Sequence, residues 1–399
     1  MAGDRWEGWP SSRDGGIDFL QQEYVEWACG AIRLPGEIGE AIMRGAAVIR
    51  QSEDLSQLAR EFHRELFIDK TAPGETNKRL LASGPQSGIV AAVVYLGALP
   101  QMRDGYESKR IPKRVLVDTL DDMAIWMRHY RNRNGEWGLG QVSWLIHHVT
   151  GKLFRLGRLQ FAFTSYNKPF KAFRHRVSGR VAVLCDSGAR YRADGQADGT
   201  NGIFDDGAGW TTVLDYDGTA YIGHPVTSKG AVSLSRVSLP VGDWELVLEK
   251  GDPVLDVHIP EGGKMTHELC RDSYGQAVAF TAEHFPEMPF KAFVCSSWLL
   301  APQFPLLLPA EANIVRFQRD YYATPVKSDE DQTLERVFGF GTKLADLPGL
   351  PRETSLQRIV YDHLASGGHI HGAAGFLLKD DWNVGTTIAP ETDPTVGGT

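Results

Sequence analysis

Apolar positions divide the chain into two stretches of different period. Between about Asp18 and Leu153 they recur at helical spacing. Leu55, Leu58, Ala59, Phe62 and Leu66 fall on one stripe, and Val117, Leu120, Ala124 and Met127 on another. Pro35-Gly36, Pro73-Gly74, Gly84-Pro85 and Ile111-Pro112 punctuate this stretch, which predicts about six helices. From Leu156 the apolar runs shorten to strand length: Leu159–Thr164, Val181–Asp186, Thr212–Tyr216, Thr219–Ile222, Val232–Leu239, Trp244–Leu248, Val254–Ile259 and Phe290–Leu299. Loops rich in Gly and Asp, notably Arg192–Gly209, separate them. Helices are predicted from Thr266 to His284 and from Pro302 to Tyr322, each directly after a strand. A strand near Arg336–Gly341, a helix over Ser355–Leu364 and a strand over Ile370–Leu378 follow. The whole reads as α+β: a helical N-terminal domain, then a mixed sheet with flanking helices. Its strand-helix-strand alternation implies a parallel strand pair.

Bulk properties narrow this picture. At 399 residues the chain exceeds what one core supports, so two domains are expected, meeting near Gly151–Arg155. Residues 1–17 read as a flexible N-terminus, 18–153 as the helical domain, 154–380 as the mixed-sheet domain and 381–399 as a disordered tail. A net charge of −8 excludes broad nucleic-acid binding but permits a local anion site. The four cysteines, Cys29, Cys185, Cys270 and Cys295, lack paired spacing and read as reduced thiols. The opening MAGDRWEGWPSSRDGG has no signal-peptide core, and no window approaches the roughly 20 apolar residues of a membrane span. A cytoplasmic protein is expected; oligomeric state is not legible.

The chemistry concentrates in residues 254–285. A strand ends in His258, a turn Pro260-Glu261-Gly262-Gly263-Lys264 follows, and a helix opens at Thr266. Helix N-termini carry unpaired N–H groups and partial positive charge, and glycines let a phosphate approach the backbone. A pyrophosphate is accommodated at Gly262–Thr266, with Lys264 and Arg271 beside it. A strand-Gly-Gly-helix passage is also an ordinary turn. His258 is either a structural residue or a base, since imidazole has the pKa for deprotonating an ammonium near neutrality. The second segment, from Phe290, carries Cys295, Ser296, Ser297 and Trp298 in an apolar run. Cys295 reads as a small buried hydrophobe or a nucleophile, the serines as donors to a thiolate or oxyanion, and Trp298 as a pocket wall or plain core. His369-Ile-His371 lacks the further ligands of a metal site, so no metal is expected. His224, in a Gly-His-Pro turn, is a candidate acceptor contact.

Several of these residues carry a resemblance. GRLQF (157–161), the His-Ile-Pro tripeptide (258–260) with its following helix, CSSWLL (295–300), and LPRETSLQRIVYDHLASGGHIHGAAGFLL (350–378) resemble the long-chain N-acyltransferases. In these a helical N-terminal domain precedes a divergent GNAT domain, and the best-known members acylate an amino sugar of glycopeptide antibiotics of the teicoplanin class. The resemblance implies acyl-CoA as cosubstrate, an amine as acceptor, and antibiotic biosynthesis as the setting. Val254–Ile259 and Phe290–Leu299 become the splayed strands that hold pantetheine. Ile259, Gly262, Gly263, Lys264, Met265 and Arg271 become CoA contacts, and His224 and Trp298 acceptor contacts. The active cleft is expected between the two halves. His258 serves as base and Ser296 or Ser297 as proton donor to the leaving thiolate. The usual GNAT phosphate signature is replaced by Pro-Glu-Gly-Gly-Lys. Two alternatives stand beside this reading: a ping-pong acyltransferase using Cys295, and a non-catalytic carbohydrate- or ligand-binding protein using Trp210, Trp244 and Trp298.

Overall fold

The computed structural model describes residues 6–12 and 18–384. Apart from 6–12 and 381–384, the segments expected to be flexible or disordered at the two ends lie outside the described residues. The chain forms two compact units. The first contains Met1–Ala162 and two later segments, His258–Gly263 and Ala279–Glu287; the second contains the rest.

Eight α-helices precede Ala162 among the described residues of the first unit: α1 (Gln22–Ala31), α2 (Gly36–Gln51), α3 (Glu53–His63), α4 (Pro73–Leu81), α5 (Ser87–Leu96), α6 (Leu99–Ser108), α7 (Lys113–Asn134) and α8 (Val142–Val149). The count exceeds the six expected because proline starts two short helices, α4 at Pro73 and α6 at Leu99-Pro100. The sequence of α5, SGIVAAVVYL, is apolar nearly all round, and the helix is correspondingly buried. Helix α2 approaches it closely at Gly45, where a Cβ would lie 2.1 Å from Ile89 Cγ1. A hairpin of β1 (Leu153–Leu156) and β2 (Leu159–Ser165) follows α8, with Leu156 opposite Leu159.

In the second unit, β3 (Phe170–His175), β4 (Val181–Cys185), β5 (Arg190–Tyr191), β6 (Trp210–Thr211), β7 (Leu214–Tyr216), β8 (Ala220–Gly223), β9 (Val237–Pro240) and β10 (Trp244–Leu248) form small antiparallel sheets, in the orders β10-β3-β4, β5-β6 and β7-β8-β9. The main sheet contains β11 (Pro253–His258), α9 (His267–His284) crosses from it, and β12 (Ala292–Ser297) returns parallel to β11. Then come α10 (Phe304–Leu307), α11 (Asn313–Gln318), β13 (Tyr322–Thr324), α12 (Asp331–Phe338), α13 (Ser355–Ala365) and β14 (Ala373–Leu378). Strand β14 runs antiparallel between β12 and β13. All six of its residues are buried, which is why they read as an unbroken apolar run. Val254, Ala292, Val294, Phe376 and Leu378 pack with Phe170, Cys185 and Leu248 into one core.

The α+β class and the order of helices and sheet are those the apolar periods predict. Two elements differ. The helix expected over Pro302–Tyr322 is two short helices and a strand, because Pro309 supplies no N–H to continue α10. The strand expected near Arg336–Gly341 is the end of α12. Buried Thr333 and Leu334 and the core-packed Val337 and Phe338 lie at helical spacing, and Gly339, with φ +123°, ends the helix.

Candidate functional site

The parallel pair at the centre of the second unit is short. Val254 pairs with Ala292, Leu255 with Phe293 and Asp256 with Val294, and the pairing ends there. Strand β12 continues through Cys295, Ser296 and Ser297, which keep their partners Gly375, Ala374 and Ala373 on β14. Val257 and His258 continue β11. Two parallel strands that stop pairing while both remain extended leave backbone N–H and C=O groups facing an opening, where an extended amide chain can bond.

Beyond His258 the chain turns through Gly262 (φ +84°) and Gly263 (φ +71°), conformations that favour glycine. Thr266 caps α9: its Oγ1 accepts from Leu269 N at 3.3 Å, and its carbonyl from Cys270 N at 3.1 Å. The Glu268 carboxyl also sits at this helix end. Its own backbone N–H, and then the Thr266 hydroxyl, hold it below the usual carboxylate range. In the first unit, Arg158 donates to Pro260 O at 2.9 Å, and His129 Nε2 lies 2.6 Å from Glu261 Oε2. A Cβ on Gly263 would stand 4.0 Å from Arg158 Nε.

His258, half-buried, packs edge-on against Trp144 of α8, ring centroids 4.7 Å apart and planes at 68°. Trp144 is fixed in turn by Asp122 of α7, to whose Oδ2 its indole N–H donates at 3.0 Å. His148 Nε2 lies 3.0 Å from the same oxygen, and Gln160 Nε2 donates to Oδ1 at 2.9 Å. Burial by itself pushes the Asp122 carboxyl up. The hydrogen bond and charge of His148, with the bonds from Trp144 and Gln160, outweigh it, and the net shift is down. Partial burial, then the charges of Lys152, His148 and His258, hold His147 below the usual imidazole range.

The remaining sequence candidates are dispersed. Ser296 is exposed, and Ser297 Oγ accepts from Leu299 N at 3.1 Å, capping the turn after β12. Trp298 meets Phe304 edge-on at 5.8 Å and borders a core of Phe304, Leu334, Val360 and Ile370. Arg271 donates to Trp382 O at 3.3 Å. Ile259 and Met265 are half-buried and Lys264 is exposed. His224 is buried, its Nδ1 3.1 Å from Ser233 O and its ring 4.7 Å from that of Trp210. Cys295 is buried, and burial first, then the Asp256 carboxylate, raises its thiol pKa, which disfavours the thiolate a nucleophile needs. No group of three or more His, Cys, Asp or Glu is placed to hold a metal ion among the described residues. None of their helices is long and apolar enough to cross a membrane.

Sequence reasoning missed Asp122, Trp144, His129 and Arg158. Asp122 left one signal: a carboxylate in the buried phase of α7, near Thr119 and Met123.

Two family models match nearly the whole described chain. Residues 24–151 match the N-acyltransferase N-terminal domain, and residues 153–377 the GNAT-like C-terminal domain. The chain belongs to the GNAT-like N-acyltransferases. It is therefore an acyltransferase, and the resemblance read from its sequence is borne out. No curated protein matches this acyltransferase. Among solved structures, an acyltransferase mutant in complex with octanoyl-CoA is 22% identical, with a TM-score of 0.59 over 89% of this chain and 88% of that one. An acyltransferase in complex with decanoyl-CoA and teicoplanin is 20% identical, with a TM-score of 0.56 over the same shares. An acyltransferase in complex with CoA and 10C-teicoplanin is 21% identical, with a TM-score of 0.59 over 92% and 90%. At these identities the likeness establishes a common fold.

Proposed function

We propose that this acyltransferase moves a medium-to-long acyl chain from acyl-CoA to an amine, by direct attack and with His258 as general base. The observation that carries the reading is the end of β11–β12 pairing at Asp256 and Val294, with His258 two residues further along β11. The opening that follows suits the two amides of pantetheine, which bond to strand backbone. The Gly262–Met265 loop and the first turn of α9 that continues it suit a pyrophosphate. The amine attacks the thioester carbonyl, a C–N bond forms and the C–S bond breaks. His258 takes the proton of the ammonium, and the thiolate takes one from Ser296 or from water. Bound octanoyl- and decanoyl-CoA in proteins of the same fold support the chain length, and teicoplanin supports an amino sugar of a glycopeptide as acceptor. The buried Cys295 thiol speaks against a covalent acyl intermediate.

The test is to incubate the protein with octanoyl-CoA and an aminoglycosyl glycopeptide lacking its acyl chain. Stoichiometric free CoA and N-acylated glycopeptide are expected. Free CoA without an amide product, or no turnover with any chain from acetyl to decanoyl, contradicts the reading.

A further inference from the structure

The turn that leads into α9 has little packing of its own. Glu261, Gly262, Gly263 and Lys264 are all exposed, and a Cβ on Gly262 would meet nothing within 4 Å. An exposed turn with so few contacts stays mobile unless something outside it ties it down. Two residues distant in sequence do so, and both lie with His258–Gly263 in the first unit. Arg158, in the β1–β2 turn, donates to Pro260 O at 2.9 Å. His129, near the end of α7, places Nε2 2.6 Å from Glu261 Oε2.

The second contact does more than hold the backbone. A carboxylate only accepts hydrogen bonds, so His129 Nε2 carries the proton and donates it. The imidazole is itself packed against Trp126, one turn earlier on α7, with ring centroids 5.2 Å apart. The contact therefore decides where the Glu261 charge sits, on the α7 side of the turn. The Glu261 side chain is 53% exposed. Without this donor its flexible stem lets the carboxylate sweep over Gly262 and Gly263, where a bound anion would meet a like charge.

We propose that His129 is a positioning residue for the donor: by holding the Glu261 carboxylate against α7 it keeps the turn open to the pyrophosphate of acyl-CoA. The helical first unit then takes part in donor binding. The inference rests on the reading of this turn as the pyrophosphate site. The experiment is calorimetric titration of the full chain, of His129→Ala and of the double variant His129→Ala/Glu261→Gln, at low ionic strength. Octanoyl-CoA is one ligand, and octanoyl-pantetheine, the same thioester arm without phosphates, is the other. His129→Ala weakens octanoyl-CoA about two- to fivefold, the range of an exposed ion pair, and the loss fades near 0.5 M salt. Octanoyl-pantetheine affinity and melting temperature hold, because alanine suits a helix and Arg158 still anchors Pro260. Adding Glu261→Gln restores octanoyl-CoA affinity, since the charge to be held is gone. A merely structural His129 weakens both ligands or lowers the melting temperature, and Glu261→Gln does not rescue it. That result, or unchanged octanoyl-CoA affinity in His129→Ala, overturns the proposal and leaves the transfer reading intact. A parent chain that binds octanoyl-CoA no more tightly than octanoyl-pantetheine overturns the pyrophosphate site and this role of His129 with it. A parent chain that binds neither contradicts the transfer reading itself.

Discussion

The His258 imidazole stands edge-on to the Trp144 indole at 4.7 Å, and the indole N–H is tied to the buried Asp122 carboxylate at 3.0 Å. The base of the proposed mechanism is thus backed by an aromatic wall whose orientation is set one residue deeper. That arrangement makes Asp122 a positioning residue, acting on His258 through Trp144.

Asp122→Asn keeps the shape and one acceptor but loses the charge that draws His148, Trp144 and Gln160 together. The substitution should destabilise the protein by about 1–3 kcal/mol, the usual cost of an ill-satisfied buried polar group. It should also lower kcat more than it raises KM for acyl-CoA. Denaturant melts and steady-state kinetics measure the two. A fully stable, fully active variant removes Asp122 from this role.

The same carboxyl gives a pH dependence. Its pKa is lower in the folded protein than in the unfolded chain, where it is about 3.9. Its stabilisation is therefore complete above that value and is lost as the pH falls through the folded one. Acid unfolding of Asp122→Asn, followed beside the parent, should show a shallower loss of stability below about pH 4. Parallel acid limbs would contradict the assignment.

The Glu268 carboxylate occupies the helix end where a pyrophosphate is proposed to lie. Glu268→Gln removes a like charge, so CoA should bind about two- to fivefold tighter at low ionic strength, with the gain fading near 0.5 M salt. Weaker binding would mean the phosphates lie elsewhere. Gly263→Val should act in the opposite direction, because φ +71° strains a β-branched residue. CoA affinity should fall, while the protein stays folded and loses only the cost of that strain, about 1–2 kcal/mol.

Cys295→Ala should retain turnover within about twofold, since a buried neutral thiol takes no part in direct transfer. Mass spectrometry of the parent protein quenched in mid-turnover should find no acylated cysteine. An inactive but folded variant, or an acyl-Cys adduct, would favour a two-step route.

Legibility varied for physical reasons. Strand β11 and helix α9 were readable because one period ends at His258 and another begins after Gly262-Gly263. The buried strand β14 announced itself as an apolar run. The segment Phe304–Gln318 misled because Pro309 interrupts a composition that otherwise reads as helix. The cluster behind His258 left only the buried phase of Asp122 as a signal. Asp122 and Trp144 meet only because α7 and α8 fold against each other, and no local spacing encodes that contact. Arg158 lay within a recognised pentapeptide, but its contact with Pro260 is a property of the fold.

The account rests most directly on His258. The deciding measurement is the pH–rate profile of His258→Ala, taken beside its melting curve and its affinity for octanoyl-CoA. Turnover near neutrality should fall about 10²- to 10⁴-fold, the range for loss of a general base. Acyl-CoA affinity and melting temperature should hold, and the rate should partly recover at high pH as the acceptor amine loses its proton unaided. A folded variant with near-parental activity, or one whose loss is explained by lower stability and shows no recovery with pH, would contradict the account.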